Sequence, residues 1–137
     1  MVKAITTREF DYTLLEERGL PEAERTVFQL RRLTAEERFK LQDGMATASD
    51  AGQRLHPHLG DMTRQAILAG LLGWHNLTDE QGRPVEFKRS TKSLNVLGRN
   101  CLPPEAAMLD YFGDGTLAEL AAAIQDGAVL SEDDAGN

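Results

Sequence analysis

Cysteine occurs once, at Cys101, and tryptophan once, at Trp74, in a chain of 137 residues. A lone cysteine cannot close an internal disulfide, which argues against the small exported folds stapled by several bridges. No apolar run approaches the roughly 20 residues that cross a bilayer. The first residues, Met1-Val-Lys-Ala-Ile-Thr-Thr-Arg-Glu9, lack the apolar stretch of a signal peptide. Neither GxGxxG nor GxxxxGK(S/T) is present, so the common glycine-rich phosphate cradles are excluded. Basic residues are missing altogether from 101–137. These absences lead to the expectation of a cytoplasmic protein with no membrane and no nucleotide-loop chemistry.

What is present fits a globular chain. Apolar residues make up 41% and charged residues 27%, enough of the first to build a core and too few of the second for wholesale disorder. One domain is expected over 1–130, followed by an acidic, flexible tail at 131–137. The net charge of −7 is unevenly spread: residues 1–60 carry −1, residues 61–100 carry +2 and residues 101–137 carry −8. Phosphate backbones are bound by clustered Lys and Arg that release counterions, so this balance disfavours nucleic acid and favours a basic partner.

The pattern of side chains predicts a mainly α (α+β) fold, a small helical domain with a short β-hairpin or small antiparallel sheet near the N-terminus. Residues 10–15 and 26–32 read as strands joined by a polar loop, with a helical turn over Leu14 to Arg18 as the alternative. Thr34-Ala-Glu-Glu37 is a capping box, in which the Thr hydroxyl and the Glu carboxylate each accept from the other's backbone N–H. It predicts a helix from Ala35 with Ala35, Phe39, Gln42 and Ala46 on one face, then a loop over 52–60. Asp61 caps a second helix with an apolar face of Ile67, Leu68, Leu71 and Leu72, stopped by Gly73. After Trp74 a polar turn, Asn76 to Arg83, leads to an edge strand at Pro84–Phe87. A third helix is predicted from Ser90, containing Leu94, Val96 and Leu97, and a short one from Pro104 to Phe112. Thr116-Leu-Ala-Glu119 reads as a second capping box, and Leu117, Leu120 and Ile124 then recur at helical spacing.

No set of residues marks a reaction. His56 and His58 are two imidazoles beside Pro57, too few to close a metal site, and Cys101 has no CxxC partner. The abundant carboxylates lie on capping boxes and charged faces, with no spacing that singles out an acid/base pair. Gly113-Asp-Gly-Thr116 precedes a helix, but Asp114 would repel a phosphate. Arg83, Lys88, Arg89, Lys92 and Arg99 give 83–99 a basic cast without the short turn of a helix-turn-helix. The chain therefore reads as a protein without catalytic, metal-binding or cofactor-binding residues, and not as an enzyme. Trp74 is expected to be structural, packed with Val85 or Phe87 across the turn. Leu117, Leu120 and Ile124 are expected either to cap this chain's own core or to bind another protein.

Three segments carry a family likeness. Thr26-Val-Phe-Gln-Leu-Arg-Arg-Leu-Thr-Ala-Glu-Glu37, a strand ending in an Arg pair before Leu-Thr and a capped helix, resembles the opening of several tail-assembly chaperones of long-tailed bacteriophages. Gly73-Trp-His-Asn-Leu-Thr-Asp-Glu-Gln-Gly-Arg-Pro-Val-Glu-Phe87 resembles their Trp-bearing turn, and the small helix from Leu117, followed by the acidic Leu130-Ser-Glu-Asp-Asp134 and a final Gly136-Asn137, is similar too. The resemblance spans about half the chain. It implies a non-enzymatic phage or prophage protein in the bacterial host cytoplasm that binds the tape-measure protein and tail-tube subunits during tail morphogenesis. It also implies a helical protein that often self-associates and is absent from the finished virion. The alternatives are a small phage-type regulatory or nucleic-acid-binding protein, or another phage structural or joining protein. On the ligand count around His56 and His58, elemental analysis of the purified protein is expected to find no stoichiometric transition metal. A bound metal that disappears in His56→Ala would overturn this.

Overall fold

Period-two alternation builds the first sheet. In the computed structural model, which describes residues 1–4, 6–50 and 59–126, β1 (Glu9–Tyr12) and β2 (Val27–Arg31) pair antiparallel. Phe10 lies opposite Leu30 and Tyr12 opposite Phe28, which puts all four on one face with Phe28 and Leu30 fully buried. The connection contains two short 3-10 turns, Leu15–Glu17 and Glu22–Glu24. It is stitched by Arg25, whose guanidinium donates to the carbonyls of Leu20 and Arg18 at 2.8 and 2.7 Å.

The capping box forms at the start of α1 (Ala35–Asp50). The Glu37 N–H donates to Thr34 Oγ1 at 3.1 Å and the Thr34 N–H to Glu37 Oε1 at 2.9 Å. The buried face of this helix differs from the predicted one. Phe39 is 61% exposed and Ala35 and Gln42 face solvent, whereas Glu37 and Leu41, one turn apart, are buried. Arg31 explains the phase. Its two terminal nitrogens donate to Glu37 Oε1 and Oε2 at 2.9 and 2.8 Å, drawing the carboxylate inward, and one of them also donates to the Ala69 carbonyl at 2.9 Å. The predicted position of Ala46 lies outside the described side chains, as do most of the expected 52–60 loop and the 131–137 tail.

A third strand corrects the reading of 71–73 as the end of a helix. α2 (Leu59–Gly70) stops at Gly70, and β3 (Leu71–His75) follows without a loop and joins the other side of β2. At Gly70 a Cβ would collide with the Ile124 side chain and sit 2.8 Å from the Arg31 carbonyl oxygen. The end of α2 is therefore pressed directly onto β2, and the chain continues into the ladder. Leu30 meets Leu71 and Phe28 meets Trp74 across a bulge at Gln29/Leu30.

The predicted helix at 90–102 is also corrected. Leu94–Val96 (β4) and Arg99–Cys101 (β5) form an antiparallel hairpin around Leu97 and Gly98, whose φ angles are 53° and 84°. Two left-handed residues give the tight turn whose twist matches paired strands. The apolar spacing of Leu94, Val96 and Leu97 suits a helix or a strand, and Leu-Gly is not the Asn-Gly pair that signals such a turn. The fold is consequently an α+β mixture with a three-stranded and a two-stranded antiparallel sheet. The mainly helical domain expected from patterning is not what forms.

Two last helices complete the core. The short α3 (Ala106–Leu109) is followed by α4 (Asp114–Asp126), which begins two residues before the predicted capping box. Glu119 instead ties the helix to the first strand: its Oε2 accepts from the Tyr12 hydroxyl at 2.7 Å and from the Leu15 N–H at 2.9 Å. Near the other end of α4, the Ile124 carbonyl accepts from the Leu33 N–H at 3.0 Å, satisfying one of the carbonyls that a helix end leaves open. α4 packs on α2, and Leu33, Ile67, Val96, Leu120 and Ile124 are fully buried in one core with Phe28 and Leu30. Among the described residues, no helix is long and apolar enough to cross a membrane.

The Arg31–Glu37 pair yields a pH prediction. Burial by itself would raise the Glu37 carboxyl, but the paired bonds from Arg31 and the Thr34 N–H outweigh it and hold it at about 2. A carboxyl depressed in the folded state contributes stability that is complete above its ordinary value near 4.5 and is lost as pH falls towards 2. Urea unfolding between those pH values should show wild type losing more stability than Glu37→Gln. Glu37→Ala, which strands a buried guanidinium, should cost about 3–5 kcal/mol at neutral pH. Equal acid slopes for wild type and Glu37→Gln would remove the pair from this role.

Candidate functional site

The single tryptophan organises the surface that follows β3. Trp74 is buried on the core face of the sheet, with its ring edge-on to four aromatic neighbours: Phe87 at 5.0 Å, Phe112 at 5.5 Å, and Phe28 and Tyr111 each at 6.4 Å. Its indole N–H donates to the Val85 carbonyl at 2.8 Å. Both Val85 and Phe87 are half-buried against it. The segment 76–89 is therefore laid over the indole, with two isolated bridges, Thr78 to Pro84 and Arg89 to Pro104, in place of the expected strand at Pro84–Phe87.

Hydrogen bonds fix this segment at both ends. Asn76, at φ 60°, closes β3 and donates to the carbonyls of Ala23 and Arg25; asparagine tolerates that left-handed backbone better than most residues. Asp79 holds the turn, accepting from the N–H groups of Gln81 and Arg83 at 2.9 and 3.0 Å and lying 3.5 Å from the Arg83 guanidinium. Arg89 donates to the carbonyls of Leu102 and Leu72, at 3.0 and 3.1 Å, and stands over the Phe87 ring at 5.8 Å. Two of the five basic residues of 83–99 are therefore engaged within the fold, which weakens the basic stretch as a nucleic-acid surface.

The result is an open groove of about 920 Å³ lined by Leu77, Thr78, Asp79, Glu80, Pro84, Val85, Glu86, Lys88 and Tyr111. Its apolar surface comes from Leu77, Pro84, Val85 and the half-exposed ring of Tyr111. Three carboxylates and one ammonium make it acidic. Such a groove can bind an extended chain segment. Its lining offers no nucleophile beside an oriented base, and among the described residues no three His, Cys, Asp or Glu side chains converge on a metal position.

Tyr12 belongs to the framework of the fold. The Tyr12 hydroxyl is pushed up to about 12 by burial and by its bond to Glu119. It therefore remains a hydrogen-bond donor holding β1 to α4. Cys101 is half-buried at the end of β5 and His75 lies exposed at the end of β3, its ring against Gln29. His56 and His58 lie outside the described residues.

Of the residues singled out for protein binding, Leu120 and Ile124 have no exposed surface and Leu117 is half-buried. All three pack in this chain's own core, so the apolar stripe of α4 is not offered to a partner in this conformation. The groove residues were not legible as a site. Asp79 to Gly82 reads in sequence only as a turn, and Tyr111 sits far along the chain from the 77–88 segment that it faces. The one signal was aromatic: Trp74, Phe87, Tyr111 and Phe112 are four of the eight aromatic residues. Comparison with family models, curated proteins and solved structures finds no match to this chain.

Truncation of the indole tests whether it holds the groove. Trp74→Ala should cost about 3–5 kcal/mol in urea unfolding. Trp74→Phe keeps a ring but leaves the Val85 carbonyl without its donor, and should cost about 1–3 kcal/mol. An unchanged unfolding midpoint in Trp74→Ala would show that the aromatic cluster does not support this surface.

Proposed function

We propose that this chain is a non-enzymatic protein-binding domain that acts as a tail-assembly chaperone of a long-tailed bacteriophage or prophage. In this role it holds the tape-measure protein and tail-tube subunits in the host cytoplasm until they assemble. The reading rests on the order of three motifs, at Thr26–Glu37, Gly73–Phe87 and Leu117–Asn137. Their places in the fold support treating them as one unit. The first two supply adjacent strands, with Phe28 opposite Trp74, and the helix of the third packs on the junction between them through Ile124, Gly70 and Leu33. An acidic protein with an open apolar groove also suits transient binding of a partner with the opposite charge.

Co-expression provides the test. A tape-measure protein encoded beside this chain should be insoluble when made alone and should co-purify in soluble form when both are made together. If the tape-measure protein and the tail-tube subunit both fail to co-purify, and their solubility is unchanged, the chaperone reading is wrong. A salt-sensitive shift of duplex DNA by the isolated chain would favour the regulatory alternative instead.

A further inference from the structure

We propose that the groove between the 77–86 turn and Tyr111 is the docking site for an extended, arginine-bearing segment of a partner protein. This rests on the protein-binding reading above and adds where the partner binds and with what chemistry.

The first observation is an aromatic ring held in place but left open. Tyr111 is 55% exposed, yet its ring is fixed by edge contact with the buried Trp74. At two other rings this fold places its own arginines: Arg18 stands 5.3 Å over Tyr12 and Arg89 5.8 Å over Phe87. Among the described residues no cation stands over Tyr111. An exposed tyrosine face attracts a guanidinium through the ring quadrupole, and a planar guanidinium stacks better than an ammonium.

The second observation is charge. Asp79, Glu80, Glu86 and Lys88 line the same groove. Asp79 is committed to its turn and to Arg83. Glu80 and Glu86 are exposed and have no ion-pair partner among the described residues. With Lys88 counted against them the lining remains net negative, so it repels acidic segments and attracts basic ones. Paired hydrogen bonds to carboxylates again favour arginine over lysine.

The third is rigidity. Asp79 fixes the turn, Trp74 fixes Val85, and Arg89 ties down the far end, so a guest would order little of the host on binding. The apolar strip of Leu77, Pro84 and Val85 then accepts aliphatic side chains that alternate with the arginine along an extended guest.

A library of random 12-residue peptides, selected on the intact protein, separates this site from the chaperone reading. Enriched peptides should carry arginine next to aliphatic residues. Their affinity, followed by Trp74 fluorescence, should fall at least tenfold in Glu80→Gln/Glu86→Gln and in Tyr111→Ala. All three changes are on exposed side chains, and circular dichroism should stay that of wild type. Replacing the peptide arginine by lysine should weaken binding, and raised salt should weaken it further. No enrichment, enrichment of acidic or neutral peptides, or unchanged affinity in both variants would overturn the proposal. If the tape-measure protein co-purifies equally well with wild type and with both variants, the groove is not the site although the chaperone reading stands. If groove-dependent arginine peptides are found while no tail protein binds, the site stands and the chaperone reading falls.

Discussion

A single guanidinium sets the relation between three elements. Arg31 lies at the end of β2, its carboxylate partner Glu37 lies in the first turn of α1, and the Ala69 carbonyl it also reaches belongs to the last turn of α2. A charge buried this deeply is tolerated only when its hydrogen-bonding capacity is met, so strand, helix start and helix end must arrive together. The same requirement turns α1 so that Glu37 and Leu41 face inward. It also leaves α2 ending against β2, where only Gly70 fits between the Arg31 backbone and Ile124. The third strand follows directly from that close approach.

From this junction the fold extends in two directions with different physics. Towards the core, α2 and α4 close over Phe28, Leu30 and Leu33 by burial of aliphatic surface, which is non-directional and tolerant of exchange. Towards the surface, residues 76–93 have little regular structure and depend on directional contacts instead. The indole bond to Val85, the Asp79 turn and the two carbonyls held by Arg89 replace a hydrogen-bonded ladder. Irregular backbone fixed in this way leaves a recess that a flat strand would fill, and the groove is that recess. A rigid framework under an irregular surface segment is a common arrangement for binding.

Local interactions were legible without the structure because they act over three or four residues. Thr34 and Glu37 cap each other as their spacing implies, whereas Asp61, read as the cap of the second helix, lies inside the first turn of α2 because that helix already begins at Leu59. The alternation at β1 and β2 likewise reports its own period. Ambiguity entered where a short apolar run satisfies two periods at once. Leu71 and Leu72 extend the helical spacing of Ile67 and Leu68, and Leu94, Val96 and Leu97 fit a helix as readily as a hairpin. Thr116 and Glu119 have the spacing of a capping box, but Glu119 has a distant competitor in Tyr12, and the helix starts earlier.

The amino-acid sequence by itself determined the presence of a core, the absence of disulfides within the chain, the first capped helix, the N-terminal strand pair and the role of Trp74 as a candidate packing residue. Each follows from composition or from contacts between near neighbours in the chain. Tertiary structure alone decided which face of α1 is buried, where α2 gives way to β3, and that 94–101 is a hairpin. It also decided that Leu120 and Ile124 belong to the core, and that Tyr111 shares a groove with Glu80 and Glu86. These outcomes depend on contacts between residues far apart in sequence, whose energies compete with local preference and are settled only when the elements meet.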